Sequence, residues 1–146
     1  MKKILSLSTI IMLLSTAFAF SAQKVEISGN DTMRFDKTSV EVKAGEEVEL
    51  IFSNVGKLPK AAMGHNLVIL KPGTQIPGFA MAAVNDKDNE YIPKEAEWAE
   101  KVVAKTKVLG PGEKDTIKFT LDAGTYPFIC SFPGHFSIMQ GTITAK

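Results

Sequence analysis

Cysteine, histidine and tryptophan are all scarce in this chain: one cysteine (Cys130), two histidines (His65 and His135) and one tryptophan (Trp98). A single cysteine excludes a disulfide within the chain. An excess of either charge is also missing, with 17 Lys plus Arg against 16 Asp plus Glu. That balance excludes a nucleic-acid binder working through bulk positive charge. Beyond residue 22 no apolar run is long enough to cross a membrane, which takes roughly 20 residues. There is no internal repeat, no low-complexity stretch and no long linker.

The N-terminus holds the one strongly apolar segment. Lys2 and Lys3 precede Ile4 to Phe18, which is interrupted only by Ser and Thr, and Ala17-Phe18-Ala19 follows the small-x-small cleavage pattern. Phe20-Ser21-Ala22 is a poorer cleavage site because of its bulky Phe. The expectation is a secretory signal peptide over 1–22, cleaved after Ala19 or Ala22, and one domain over 23–146. The apolar run is short for a membrane anchor, and no cysteine stands near the cleavage site to carry lipid. Two of the 17 basic residues and none of the 16 acidic ones fall in the leader, so the remainder has one more acid than base. A lone free thiol in an exported chain is a liability unless a metal holds it as thiolate.

That thiol sits in Cys130-Ser131-Phe132-Pro133-Gly134-His135-Phe136-Ser137-Ile138-Met139, spaced C-x4-H-x3-M. The second histidine stands far upstream in Met63-Gly64-His65-Asn66. Singly, a cysteine is usually a small hydrophobe, a histidine a satisfied polar group and a methionine core filler. Here every Cys and His belongs to one of two short motifs. Two imidazoles and a thiolate in a plane, with a weak axial thioether, are the ligand set of a blue-copper electron-transfer site. Soft sulfur suits Cu(I) and imidazole suits both oxidation states. Pro133 and Gly134 can bend the chain so that Cys130 and His135 face one ion.

Other chemistries fit less well. A thiol enzyme built on Cys130 would need an acid/base arrangement and a substrate cleft, which Met139 and Pro133-Gly134 do not serve. A periplasmic copper-binding or copper-donor protein, the alternative reading, would be richer in Met and His and more labile. Zinc binds Cys and His and is expected only as a mis-loaded form.

Alternation of apolar and polar residues marks short strands at 23–28, 39–43, 47–53, 67–70, 115–121, 125–129 and 140–145, with Met33 and Phe35 alternating between the first two. Gly29-Asn30-Asp31, Ala44-Gly45-Glu46 and Gly110-Pro111-Gly112 read as turns, and Thr106 to Leu109 as a further strand. Phe79 to Val84 and Pro93 to Val103 read as a partly helical insertion, with Trp98 its anchor on the outside of a sheet. The pattern predicts an all-β sandwich.

The motifs resemble those of the azurins, in the cupredoxin (small blue-copper) family. The matching residues are Met63-Gly64-His65-Asn66 and Cys130-x-Phe132-Pro133-Gly134-His135-x-x-x-Met139-x-Gly141-Thr142, with Thr106-Lys107-x-x-Gly110-x-Gly112-Glu113-Lys114-Asp115 between them. The resemblance spans essentially the whole chain after the leader. It implies a Greek-key β-sandwich of about eight strands holding one type 1 copper. His65, Cys130, His135 and Met139 would be the ligands, with a weak axial contact from the Gly64 backbone carbonyl. Asn66 and Ser131 would support them, the Asn66 side chain tying the two ligand segments and its backbone N–H pointing at the sulfur. His135 would be the electron port, within an apolar patch of Met63, Phe132, Pro133 and Phe136 and possible additions from Phe79 or Met81. Lys57 and Lys60 read as solvated charges that could bias partner choice. The implied function is a soluble periplasmic electron carrier, not an enzyme, and a monomer. It would meet c-type cytochromes and a copper nitrite reductase or peroxidase, with no nucleic acid and no membrane insertion. Many azurins also carry a disulfide that this chain, with one cysteine, cannot form.

Overall fold

A computed structural model describes residues 22–146. The expected signal peptide lies outside the described residues apart from Ala22. Among the described residues nine strands form two sheets: β1 (Gln23–Asn30), β2 (Arg34–Phe35), β3 (Ser39–Val42), β4 (Glu47–Asn54), β5 (Val68–Leu70), β6 (Val102–Lys105), β7 (Lys114–Thr120), β8 (Gly124–Ile129) and β9 (Gln140–Ala145). One sheet runs β2-β1-β4-β7 and the other β3-β9-β8-β5-β6. The β1–β4 and β3–β9 pairs are parallel and the rest antiparallel. Parallel neighbours need crossovers between the sheets, and these give the expected Greek-key sandwich. The ninth strand, beyond the eight or so expected, is the two-residue β2.

The period-2 pattern explains the core. β4 turns Val48, Leu50, Phe52 and Asn54 inward and leaves the intervening residues partly exposed. Ile27 of β1, Leu67 and Ile69 around β5, Phe128 of β8 and Ile143 of β9 meet them between the sheets. Phe35 packs edge-on against Phe52 and Phe128 at ring-centroid distances of 5.8 and 5.2 Å. Cys130 lies two residues past Phe128, so it keeps the inward parity and belongs to the same core.

The insertion supplies α2 (Ile76–Ala83), a 3-10 turn (Lys87–Asn89) and α3 (Ala96–Ala99), while α1 (Lys60–Met63) precedes the first ligand motif. Val68, Leu70 and Ile129 point out of the second sheet and are covered by Phe79 and Ile92, with Trp98, Val102 and Phe136 packed at the margin. Trp98 anchors the insertion as expected, edge-on to Phe79 at 6.3 Å.

Three local expectations need correction. The helix read over 93–103 is one turn, because Val102 and Val103 enter β6, the strand that pairs with β5. Two successive β-branched residues beside an open sheet edge favour pairing over helix. The strand read over 106–109 reduces to a single bridge between Leu109 and His65. The turn placed at 29–31 begins later, since β1 continues to Asn30.

Candidate metal centre

The second ligand segment is a chain of tight turns closed at its ends. The Cys130 N–H donates to the Met139 carbonyl at 3.0 Å, and the His135 carbonyl accepts from Ile138 and Met139 at 3.0 and 2.8 Å. Gly134 takes φ +81°, a left-handed conformation that glycine adopts without strain. Cys130 and Met139 are fully buried. His65 arrives at the same end of the sandwich from the exit of α1. Its backbone exchanges two hydrogen bonds with Leu109, at 3.1 and 2.7 Å. Gly64 has no room for a side chain there, as a Cβ would lie 2.7 Å from both the Lys60 carbonyl oxygen and Val108.

The donor atoms converge. Cys130 Sγ is 3.9 Å from His65 Nδ1 and 3.7 Å from His135 Nδ1. Bonds of about 2.3 Å to sulfur and about 2.0–2.1 Å to nitrogen, opened to 120°, separate S and N by about 3.8 Å. The spacing therefore fits one ion shared in a plane. The His65 tautomer fits as well. Its Nε2 lies 3.0 Å from the Asn30 carbonyl oxygen; a carbonyl only accepts, so Nε2 carries the proton and Nδ1 is left with its lone pair. Burial lowers the His65 pKa, and burial together with the nearby His65 lowers that of His135 to about 4. Both rings are neutral at pH 7, as ligation requires. Burial acts oppositely on the Cys130 thiol, pushing it up to about 12 even though the backbone N–H groups of Asn66 and Phe132 point at the sulfur. Without a cation this thiol stays protonated; a metal ion supplies the missing charge.

Met139 comes near the His65 ring. The point that a Cβ on Gly29 would occupy is 3.1 Å from Met139 Cε and 3.4 Å from His65 Cδ2, so the end of the thioether side chain stands beside the imidazole. Asn66 ties the two ligand segments together. Its Oδ1 accepts from the Ser131 N–H at 2.8 Å, and its Nδ2 donates to Ser131 Oγ at 2.8 Å and to the Glu90 carbonyl at 2.9 Å. Phe132 stacks at 4.7 Å from His135 and edge-on to Tyr91 at 5.2 Å. His135 is 3% exposed and His65 0%. Pro133 and Met63 are half-buried. Phe136 leans instead on the outer cluster around Phe79, which is fully buried and so absent from the surface; Met81 is exposed.

Sequence reading missed Asn30, which acts through its carbonyl and leaves no side-chain signal. It also missed Glu90, whose carboxylate accepts from the Val108 N–H at 2.6 Å and whose carbonyl holds Asn66. Asn54, which donates to the Leu109 carbonyl at 3.0 Å and so braces the segment bridged to His65, had no signal beyond inward parity on β4.

A buried thiol and two pre-oriented imidazoles at one pole of a Greek-key sandwich define the copper-binding cupredoxin class. The chain belongs to the plastocyanin/azurin family of copper-binding proteins, whose family model matches residues 21–146. It is 41% identical over 124 residues to an azurin of Alcaligenes faecalis, covering 82% of this chain and 94% of that protein. It is 43% identical over 131 residues to an azurin of Pseudomonas fluorescens biotype A, covering 84% and 98%. An azurin of Methylomonas sp. strain J superposes with a TM-score of 0.76 at 31% identity, over 86% of this chain and 99% of that one. Reduced auracyanin from Roseiflexus castenholzii superposes with a TM-score of 0.75 at 29% identity, over 86% and 98%. Fold, donor set and family agree on a blue-copper electron-transfer protein.

Proposed function

We propose that the protein is exported to the periplasm, loses its leader within residues 1–22, and works there through its 23–146 domain as a monomeric single-electron carrier. One copper would be held by His65, Cys130, His135 and Met139, with a weak axial contact from the Gly64 carbonyl. The observation that carries this reading is the convergence of Cys130 Sγ with the Nδ1 atoms of two neutral imidazoles in a buried site. When bound, copper supplies a one-electron couple between Cu(I) and Cu(II).

The chain's own residues do the rest. The closed 130–139 loop, the Asn66–Ser131 pair and the Asn30 carbonyl hold the donors in one arrangement, so little has to move as charge changes. Burial of His65, Cys130 and His135 keeps most water from the donors, as a one-electron carrier needs. His135 is the ligand histidine with some solvent contact, and Met63, Phe132 and Pro133 surround the approach to it. A small, partly apolar surface suits brief docking of redox partners, for which c-type cytochromes and a copper nitrite reductase or peroxidase are the candidates. Among the described residues no helix is long and apolar enough to cross a membrane.

The test is the visible and EPR spectrum of the chain without residues 1–22 after addition of Cu(II). An intense blue band, bleached reversibly by ascorbate, with narrow copper hyperfine splitting is expected, and Cys130→Ser should abolish the band. A pale product with ordinary tetragonal copper EPR would instead favour the copper-donor reading.

A further inference from the structure

Strand β1 points Val25, Ile27 and Gly29 toward the core, and the third of these has no side chain. Gly29 is buried and paired on both edges, with Asn54 of β4 and Phe35 of β2. Its φ is not in the left-handed region, so the backbone does not demand glycine. Glycine inside a strand is destabilising relative to alanine and often marks a place where something approaches closely. Here the approaching groups are identifiable. A Cβ would stand 3.1 Å from Met139 Cε, 3.2 Å from Phe52 Cζ and 3.4 Å from His65 Cδ2. The next residue, Asn30, offers its carbonyl to His65 Nε2–H at 3.0 Å.

We propose that Gly29 is a positioning residue of the metal centre: the missing side chain makes the space in which the Met139 thioether and the His65 ring are seated against β1. The inference rests on the copper reading above. Gly29 provides room and Asn30 provides direction, so the end of β1 is the back wall of the site. The two seated groups differ in what displacement does to them. His65 is held by its ring hydrogen bond and its two backbone bonds to Leu109. Met139 would be the weaker thioether donor to copper, and such ligation tunes the potential of these centres. A methyl at residue 29 forces its neighbours to give by a few tenths of an ångström, and Met139 Cε is the nearest of them.

The test is Gly29→Ala in the full domain. Relative to wild type, the charge-transfer band position, the copper hyperfine splitting and the reduction potential should all shift while the blue colour is kept. In the metal-free protein the Met139 methyl resonance should move in carbon-13 NMR. Val25→Ala, on the same face of β1 but away from the centre, is the control; it should lower stability and leave the band, splitting and potential in place. If Gly29→Ala does not fold, Gly29→Ala with Phe52→Leu frees space at the ring tip and should show the same shifts. A Gly29→Ala protein destabilised like the control, with band, splitting, potential and methyl resonance unchanged, overturns the proposal. A wild-type protein that is never blue would sink the copper reading instead, and the methyl resonance would still report whether Gly29 seats Met139.

Discussion

At the scale of single residues, the same burial acts on three donors with opposite consequences. It keeps His65 and His135 neutral and ready, and it keeps Cys130 protonated, with a thiol pKa of about 12. Metal binding near pH 7 therefore has to expel one proton, from Cys130 and not from the histidines. Calorimetry in buffers of different ionisation enthalpy should count one proton released per metal, and affinity should climb about tenfold per pH unit through neutrality. A count near zero would mean that the sulfur is already a thiolate or is not a ligand. Met139 carries the second residue-scale prediction. Met139→Leu should keep copper and the blue colour and raise the reduction potential, because a weaker axial donor disfavours Cu(II). Voltammetry that finds an unchanged potential would remove Met139 from the ligand set.

At the scale of elements, the insertion and the ligand loops are separable. Trp98 and Phe79 cover the outer face of the β5–β8 sheet, away from the donors. Trp98→Ala should lower stability by roughly 2 kcal/mol, the value of burying a large apolar side chain, with the visible spectrum unchanged. Asn66 lies where three loops meet. Asn66→Leu strips partners from the buried Ser131 N–H and from Ser131 Oγ, at a cost of about 1–3 kcal/mol for each unsatisfied group. Because it also frees the two ligand segments from each other, the blue band should change along with the stability. Denaturant melts and spectra of both variants decide between a packing role and a role in holding the centre.

At the scale of the whole molecule, a sandwich with one cysteine has to be stable without a cross-link, and its metal-free form carries two buried neutral histidines. His135 titrates at about 4 in the fold against an ordinary 6.5, so between those values the unfolded chain binds the extra proton. Stability of the metal-free protein should fall as pH drops from about 6.5 to about 4 and level off below, with the same direction added by His65. Copper, by keeping protons off both rings and the thiolate in the fold, should steepen that slope. Thermal melts of metal-free and copper-loaded protein across this range provide the check; identical slopes would count against ligation through these histidines.

Much of the centre is legible in the residues themselves. The spacing C-x4-H-x3-M places three donors on one short loop whatever the fold, because a few bonds limit how far apart they can lie. Alternating residues in 47–53 and 140–145 determine which side chains face inward, since a strand has only two faces. Tertiary structure alone decided the rest. His65 meets Cys130 only because crossovers bring the ends of distant strands to one pole. Asn30 and Gly29 enter the centre through a carbonyl and through a missing side chain, neither of which has a residue-type signature. Val102 and Val103 became strand because β5 offered an open edge, a partner that local propensity cannot see. A lone cysteine and two histidines specified the chemistry; the packing of two sheets decided where it happens and what holds it still.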